Sequence, residues 1–176
     1  MTGRTYPDEP VDSFPDPPLS FTDGEGREIR IERSGIDDFE ELVEMYDRFD
    51  PADRAQGIPP VKEEAIREWL DELLTEESVN VLAVHDGTPV GHAILVPDRE
   101  EAFELAVFVL DDYQSAGIGT RLLEALLGYG KEAGIEHVWL TVERWNESAI
   151  ALYEKLGFET SNAESFELEM AIRLGD

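Results

Sequence analysis

The stretch Tyr113–Leu127, YQSAGIGTRLLEALL, sets two glycines one residue apart and runs directly into a leucine-rich segment. On its N-terminal side Phe103, Leu105, Val107 and Val109 recur at every second position within an apolar run, the pattern of a largely buried strand. On its C-terminal side Leu122, Leu123, Leu126 and Leu127 recur at helical spacing. The chain therefore passes from strand to amphipathic helix through a turn built on Gly117 and Gly119. The first N–H groups of a helix lack intrahelical partners, and the helix dipole favours negative charge there. A turn without Cβ atoms lets an anion such as a phosphate approach those groups closely. A tight turn that binds nothing has the same spelling, so the turn alone leaves both readings open. Two phosphate loops are excluded. A Walker loop needs Gly-Lys-Ser/Thr, but Thr120 and Arg121 follow Gly119; a dinucleotide fingerprint needs a third glycine where Leu122 stands.

The 176 residues, 41% hydrophobic, suit one domain with a sizeable core plus an appendage. Neither a long uncharged apolar run nor a signal-peptide pattern is present, which gives the expectation of a soluble cytoplasmic protein. With no cysteine, disulfides, thiolate metal sites and a cysteine acyl-enzyme are all ruled out. Asp and Glu number 41 against 14 Lys and Arg, a net charge of −27 that opposes nucleic acid and membrane surfaces, both polyanionic. Self-repulsion on this scale is tolerated where molar salt shortens the Debye length to about 3 Å, so a halophilic cytoplasm is expected. The competing reading is an acidic surface suited to a basic partner.

Residues 1–26 are rich in Pro and Asp without periodicity and read as a flexible or strapped arm, with Phe14, Leu19 and Phe21 available to pin it; residues 27–176 form the domain. EIRIER from Glu28 alternates as a strand, Ile36–Phe49 and Val61–Thr75 read as helices, and residues 80–97 read as a hairpin turning at Asp86-Gly87. After the glycine turn and its helix come a strand at His137–Val142, a helix at Glu147–Leu156 and a last strand at Ser165–Ile172. The order β-α-α-β-β-β-α-β-α-β gives a single α/β domain with a mixed central sheet flanked by helices.

Gln114, Gly117 and Gly119 fit the pattern Gln/Arg-x-x-Gly-x-Gly/Ala, and Asn146–Glu159, NESAIALYEKLGFE, carries Asn146, Ala149, Tyr153, Gly157 and Phe158 at the spacing of a second motif. In these two motifs and their order the sequence resembles the GCN5-related N-acetyltransferase (GNAT) superfamily, strongly over Val107–Phe158 and architecturally over Glu28–Ile172. Ser115 stands where the family often has Gly. The resemblance implies acetyl-CoA as cosubstrate, its pyrophosphate cradled by backbone N–H groups of Gln114, Ser115, Ala116, Gly117, Ile118, Gly119 and Thr120. It implies that the thioester lies along the strand containing Val107 and Val109, with the N–H of Val109 or Leu110 as oxyanion donor. It implies Tyr153 as general acid toward the thiolate and Asn146 as a cofactor contact, alongside that residue's ordinary use as a helix N-cap.

The absence of cysteine favours direct attack by the amine in a ternary complex over a covalent relay. Glu104, or a water it polarises, is the candidate general base, on the strand entering the site with parity opposite to Val107 and Val109; a solvated surface Glu is the alternative. His85 and His92 are further candidates or structural residues, and His137 reads as structural; no His pair has ligand spacing, so no metal is expected. FDPADRAQGIPP (49–60) and the tip at Pro97–Ala102 are expected to line the acceptor groove, with Trp145 and Tyr46 lining or packing. The acceptor is a small-molecule amine or a protein or peptide amine, and dimerisation through the last strand stays open. The alternative function is a non-catalytic acyl-CoA-binding sensor or regulatory module.

Overall fold

The computed structural model describes residues 6–11, 14–49, 59–98, 100–163 and 166–175. Its elements are β1 (Leu19–Thr22), β2 (Glu28–Ser34), α1 (Phe39–Asp47), α2 (Glu63–Leu73), β3 (Val79–His85), β4 (Thr88–Pro97), β5 (Phe103–Val109), α3 (Ile118–Glu132), β6 (His137–Glu143), α4 (Glu147–Leu156), β7 (Glu159–Ala163) and β8 (Glu167–Arg173). They build an eight-stranded sheet in the order β1-β2-β3-β4-β5-β6-β8-β7. Every neighbouring pair is antiparallel except β5 with β6. The α/β class and central mixed sheet read from the sequence stand, with two strands added. None of the described helices is long and apolar enough to cross a membrane.

The added strands lie at the two edges. β1 falls inside the Pro/Asp-rich arm and pairs with β2 from Leu19↔Ile31 to Thr22↔Glu28. The arm is strapped down before it: Val11 N–H donates to Arg173 C=O (2.9 Å), Arg33 grips both carboxylate oxygens of Asp16 (2.9 and 2.8 Å), and Tyr6 stacks beside His137 (4.5 Å). β7, ETSNA, is almost wholly exposed, so it leaves no apolar period to read. Consequently β8, the last strand, is flanked by β6 and β7 and offers no edge for a partner.

Helices cover the sheet according to the alternation of its strands. Gly91 faces Leu122 of α3, and the odd-numbered positions of β5 share that side; His92 faces Tyr46 of α1, and the even-numbered positions share the other. Leu122, Leu123, Leu126 and Leu127 are all at most 1% exposed, each contributing about 2 kcal/mol of burial. The hairpin turns at Asp86-Gly87, both with positive φ (51° and 78°), the backbone of a twisted two-residue turn.

On the α1 side a buried polar chain joins three elements. Asn80 donates through Nδ2 to Ser78, so its Oδ1 faces His92 Nε2 (2.7 Å); Nε2 therefore donates, and Nδ1 accepts the Tyr46 hydroxyl proton (2.6 Å). Burial holds His92 neutral, lowering its pKa from 6.5 to about 3, which removes it as a base candidate and makes it structural. Between those two pH values the unfolded chain binds the proton and the folded chain does not, so stability falls as pH drops below about 6.5. The expected loss from this residue is about 1.4 kcal/mol per pH unit inside that window. Urea unfolding at pH 7.5 and 5.0 checks it: His92→Gln should flatten the pH dependence by about 2 kcal/mol relative to wild type, and an unchanged dependence refutes the assignment.

Candidate active site

The parallel seam between β5 and β6 holds only two registered positions, Phe103↔Val138 and Glu104↔Trp139. Beyond Glu104 the strands part, while β5 stays paired with β4 and β6 with β8 along seven positions each. Leu110 N–H donates to Val90 C=O on β4 (3.0 Å). In an antiparallel ladder the polar groups alternate sides, so the even residues of β5 turn theirs to β4, and Val107 and Val109 turn N–H and C=O into the gap. Leu110 N–H is thereby taken up by β4, and of the two expected donors only Val109, with Val107 behind it, turns its N–H to the gap. The Gln114 side chain reaches back and donates to Val109 C=O (3.0 Å), filling the place a β6 residue would take.

A cleft of about 320 Å³ occupies the gap, lined among others by Glu104, Val107, Thr141, Glu143, Asn146 and Tyr153. Its volume is that of a small-ligand pocket. Tyr153 is brought in by α4, its ring packed edgewise on Phe158 (5.7 Å), and burial raises its phenol above the ordinary value. Its proton is therefore retained across neutral pH. Asn146 caps α4, its Oδ1 accepting from Ala149 N–H (3.3 Å), and Gly157 closes the helix at φ 114°.

The glycine turn follows the end of β5 that lies away from the two-residue seam, tied back to it by the Gln114–Val109 bond. Among the described residues none of the N–H groups of Ser115, Ala116, Gly117, Ile118, Gly119 and Thr120 has a hydrogen-bond partner. Gln114 N–H instead turns back to Asp111 C=O (3.2 Å). Gly117 sits at φ 90°, a conformation that demands glycine, whereas Gly119 is helical, and a Cβ built there meets nothing within 4 Å. Neither backbone strain nor packing explains glycine at 119. Ser115 also takes a left-handed φ of 60°, which costs a non-glycine residue about 1–2 kcal/mol and accounts for the glycine the resemblance leads one to expect there.

The turn between β1 and β2 buttresses this cradle. Gly24 N–H donates to Ala116 C=O (2.9 Å), and Arg27 donates through Nη1 to Asp112 C=O (3.0 Å) with its guanidinium 4.1 Å from the Tyr113 ring centre. Asp23, its side chain fully buried, holds Arg27 Nε at 2.7 Å. Arg27→Lys keeps a charge for Asp23 but loses the fork and the stacking. One hydrogen bond of about 1–1.5 kcal/mol corresponds to roughly a tenfold rise in the KM for acetyl-CoA, with kcat little changed. Steady-state kinetics varying acetyl-CoA decides this; an unaltered KM would show the buttress to be dispensable.

Other expected site residues are placed elsewhere. Of the expected tip, Asp98 accepts from Trp139 Nε1 (2.8 Å) at the closed end, and Glu100 and Glu101 line, with Glu136 among others, a separate hollow of about 620 Å³. Residues 50–58 of the expected acceptor loop lie outside the described residues. Tyr46 is fully buried, whereas Trp145 is exposed. His85 bonds the Tyr113 hydroxyl (2.7 Å) and supports the turn leading to the cradle. Glu143 and Thr141, which line the cleft, were not singled out from sequence, because a lone Glu in so acidic a chain carries no signal.

The acetyltransferase (GNAT) family model matches residues 39–158. The chain belongs to the GNAT family. Over 83 residues it is 37% identical to the [ribosomal protein bS18]-alanine N-acetyltransferase of Escherichia coli, covering 47% of this chain and 56% of that protein. It is 27% identical over 145 residues to mycothiol acetyltransferase of Propionibacterium freudenreichii, covering 77% and 45%. This GNAT chain spans about half the length of the curated relatives it matches. Its fold is that of the GNAT domain of S. lividans PAT (TM-score 0.74, 18% identity, 89% of this chain and 97% of that one). It is also that of yncA from Salmonella typhimurium, solved with its cofactor acetyl-CoA (TM-score 0.68, 19% identity, 84% and 95%).

Proposed function

We propose that the protein transfers an acetyl group from acetyl-CoA to a primary amine by direct attack within a ternary complex. The observation that carries this is the parted β5–β6 seam, whose cleft Tyr153 helps to line, together with the turn of unpartnered N–H groups that follows β5. Acetyl-CoA supplies a thioester, whose carbonyl is activated toward amines. The N–H groups of residues 115–120 hold its pyrophosphate, with Gln114 fixing the adjoining strand and Asn146 lining the wall. Being neutral and set at a helix start, these donors are screened by salt less than exposed Lys pairs would be. The N–H groups of Val107 and Val109 stabilise the negative charge that develops on the carbonyl oxygen. Tyr153 keeps its proton until the sulfur leaves and then donates it.

Glu104 accepts the amine proton through water in this reading, from the closed end of the cleft. The register favours a second carboxylate: since Glu104 is level with Trp139, Glu143 is level with Phe108, next to Val107 and Val109. Amine acetylation followed by free-thiol release tests the function, with N-terminal peptides, polyamines and lysine analogues as acceptors. The relative acting on a ribosomal protein alanine makes a polypeptide amine the first acceptor to try. Glu104→Gln and Glu143→Gln are expected to differ, the true base losing the acidic limb of the kcat/KM profile. A sensor would bind acetyl-CoA and turn over none of the amines.

A cytoplasmic setting of high salt belongs to this reading too. The chain carries a net charge of −27, and among the described residues Asp23 is the only Asp or Glu that is buried. Raising KCl from 50 mM to 2 M is expected to increase the melting temperature by several degrees, because the Debye length falls to about 2 Å and screens the repulsion. A melting temperature flat across that range refutes it.

A further inference from the structure

The sheet is two half-sheets joined along one short seam. β1 to β5 make the first, and α3 lies against it, since a Cβ at Gly91 of β4 would meet Leu122 and one at Gly130 would meet Leu95 of β4. β6, β8 and β7 make the second, and the end of α4 lies against it, since a Cβ at Gly157 would meet Ile172 of β8. The strands that join them pair only at Phe103↔Val138 and Glu104↔Trp139. The Trp139–Asp98 bond crosses at that same end. Each half carries part of the proposed chemistry: Val107, Val109 and the glycine turn belong to the first, Asn146 and Tyr153 to the second.

Residues 6–16 are fastened to both halves. On the second half Tyr6 lies against His137 (4.5 Å between ring centres), Arg173 donates through Nη1 to Asp8 C=O (3.0 Å), and Val11 N–H donates to Arg173 C=O (2.9 Å). Val11 also fills the space a side chain would need at Gly157, where a Cβ would stand 2.5 Å from its Cγ1. On the first half Pro15 lies on Gly128 of α3, where a Cβ would stand 2.3 Å from the Pro15 oxygen. Arg33 of β2 grips both carboxylate oxygens of Asp16 and stacks on Tyr129 of α3 (4.3 Å). Gly128 and Gly130 are two residues apart, about 200° round the helix, so with Gly130 toward the sheet the segment passes over the outer side of α3. Val11 and Phe14 are three residues apart and span at most about 11 Å, so the two sets of attachments are tied on a short tether. A glycine inside a helix costs about 1 kcal/mol relative to alanine, and at 128 the Pro15 oxygen is what it makes room for.

We propose that residues 6–16 are a clasp that holds the two half-sheets at a fixed spacing and thereby aligns Tyr153 with a thioester bound along β5. The link to alignment rests on the cleft being the acetyl-transfer site. Two strand pairs at one end of a seam leave the halves free to hinge about it, and a short tether fastened to both from the helix side opposes that motion. The cradle N–H groups all lie on the first half, so holding acetyl-CoA makes little demand on the clasp. The proton donor lies on the second half, so the chemical step depends on how the halves are spaced.

The spacing can be measured directly. Because the chain has no cysteine, nitroxides placed through Lys131→Cys on α3 and Lys155→Cys on α4, both exposed, label one site on each half for pulsed electron resonance. Two substitutions release the clasp from opposite ends. Gly128→Leu drives Pro15 off α3, and Val11→Pro removes the N–H bonded to Arg173 while leaving α3 untouched. In each, well below its melting transition, the distance distribution is expected to broaden and move to longer separations. The kcat is expected to fall about tenfold, since a misplacement of about 1 Å costs up to 10²-fold, with the KM for acetyl-CoA within about threefold of wild type. A wild-type distance distribution in both variants, with only the melting temperature lowered, overturns the proposal and leaves the segment a plain source of stability. Wider spacing with kcat unchanged overturns its link to the cleft. If wild type turns over none of the amines, the acetyl-transfer reading fails, and the distance distributions still decide whether the clasp sets the spacing.

Discussion

Gly119→Leu is expected to abolish acetyl-CoA binding without weakening the fold. Position 119 lies in the first turn of α3 with ordinary helical backbone, and a Cβ there meets no protein atom within 4 Å. Replacing a helical glycine by leucine gains up to about 1 kcal/mol of helix propensity, so thermal unfolding should be unchanged or move slightly upward. The new side chain, however, enters the open space beside the unpartnered N–H groups around it. A loss of at least 100-fold in affinity, about 2.7 kcal/mol, is expected in a calorimetric titration. Gly117→Ala makes the contrast: at φ 90° any Cβ is strained, so that substitution should lower stability and affinity together. If Gly119→Leu binds acetyl-CoA as wild type does, the cradle is not where the pyrophosphate sits.

Tyr153→Phe is expected to cut kcat by 100-fold or more while leaving acetyl-CoA affinity within about twofold, the loss typical of removing a general acid. The substitution keeps the ring against Phe158 and removes a single oxygen from the cleft wall, so the fold has little to lose. Because burial raises the phenol, the proton is held throughout pH 6–9, and the wild-type rate should show no loss from this group on the alkaline side within that range. Single-turnover thiol release measures the step directly. Turnover within threefold of wild type would reduce Tyr153 to a packing residue and assign the leaving-group proton to water.

Much of this site was legible in one dimension because its parts are local. The strand at Phe103–Val109, the turn at Gly117 and Gly119 and the helix that follows are contiguous, and each announces itself through its own period or its own backbone need. The second motif is similarly compact: Asn146 caps and Gly157 closes the same ten-residue helix that presents Tyr153. Edge strands were harder to see. β1 carries only Leu19 and Phe21 amid prolines, and β7 buries nothing, so both exist through backbone pairing, to which side-chain patterns are blind.

Relations across the sheet belong to tertiary structure alone. That β5 and β6 pair at two positions and then separate follows from how each is held by its other neighbour, and no residue of either strand spells it. The choice of Val109 over Leu110 was set by which side of β5 faces β4, and the candidacy of Glu143 by the register of a parallel seam 35 residues apart in sequence, Glu104 to Trp139. Likewise, the segment read as an arm is tied to the glycine turn through Gly24, and Arg27, the first residue past it, adds a bond to Asp112. The sequence by itself determined the inner strands, the helices, the acidic composition and the strand–turn–helix passage at Gly117 and Gly119, because propensity, charge and φ preference act over a few residues. Only the folded sheet decided which polar groups were left unpaired and what stood opposite them, because hydrogen-bond satisfaction is settled by neighbours distant in the chain.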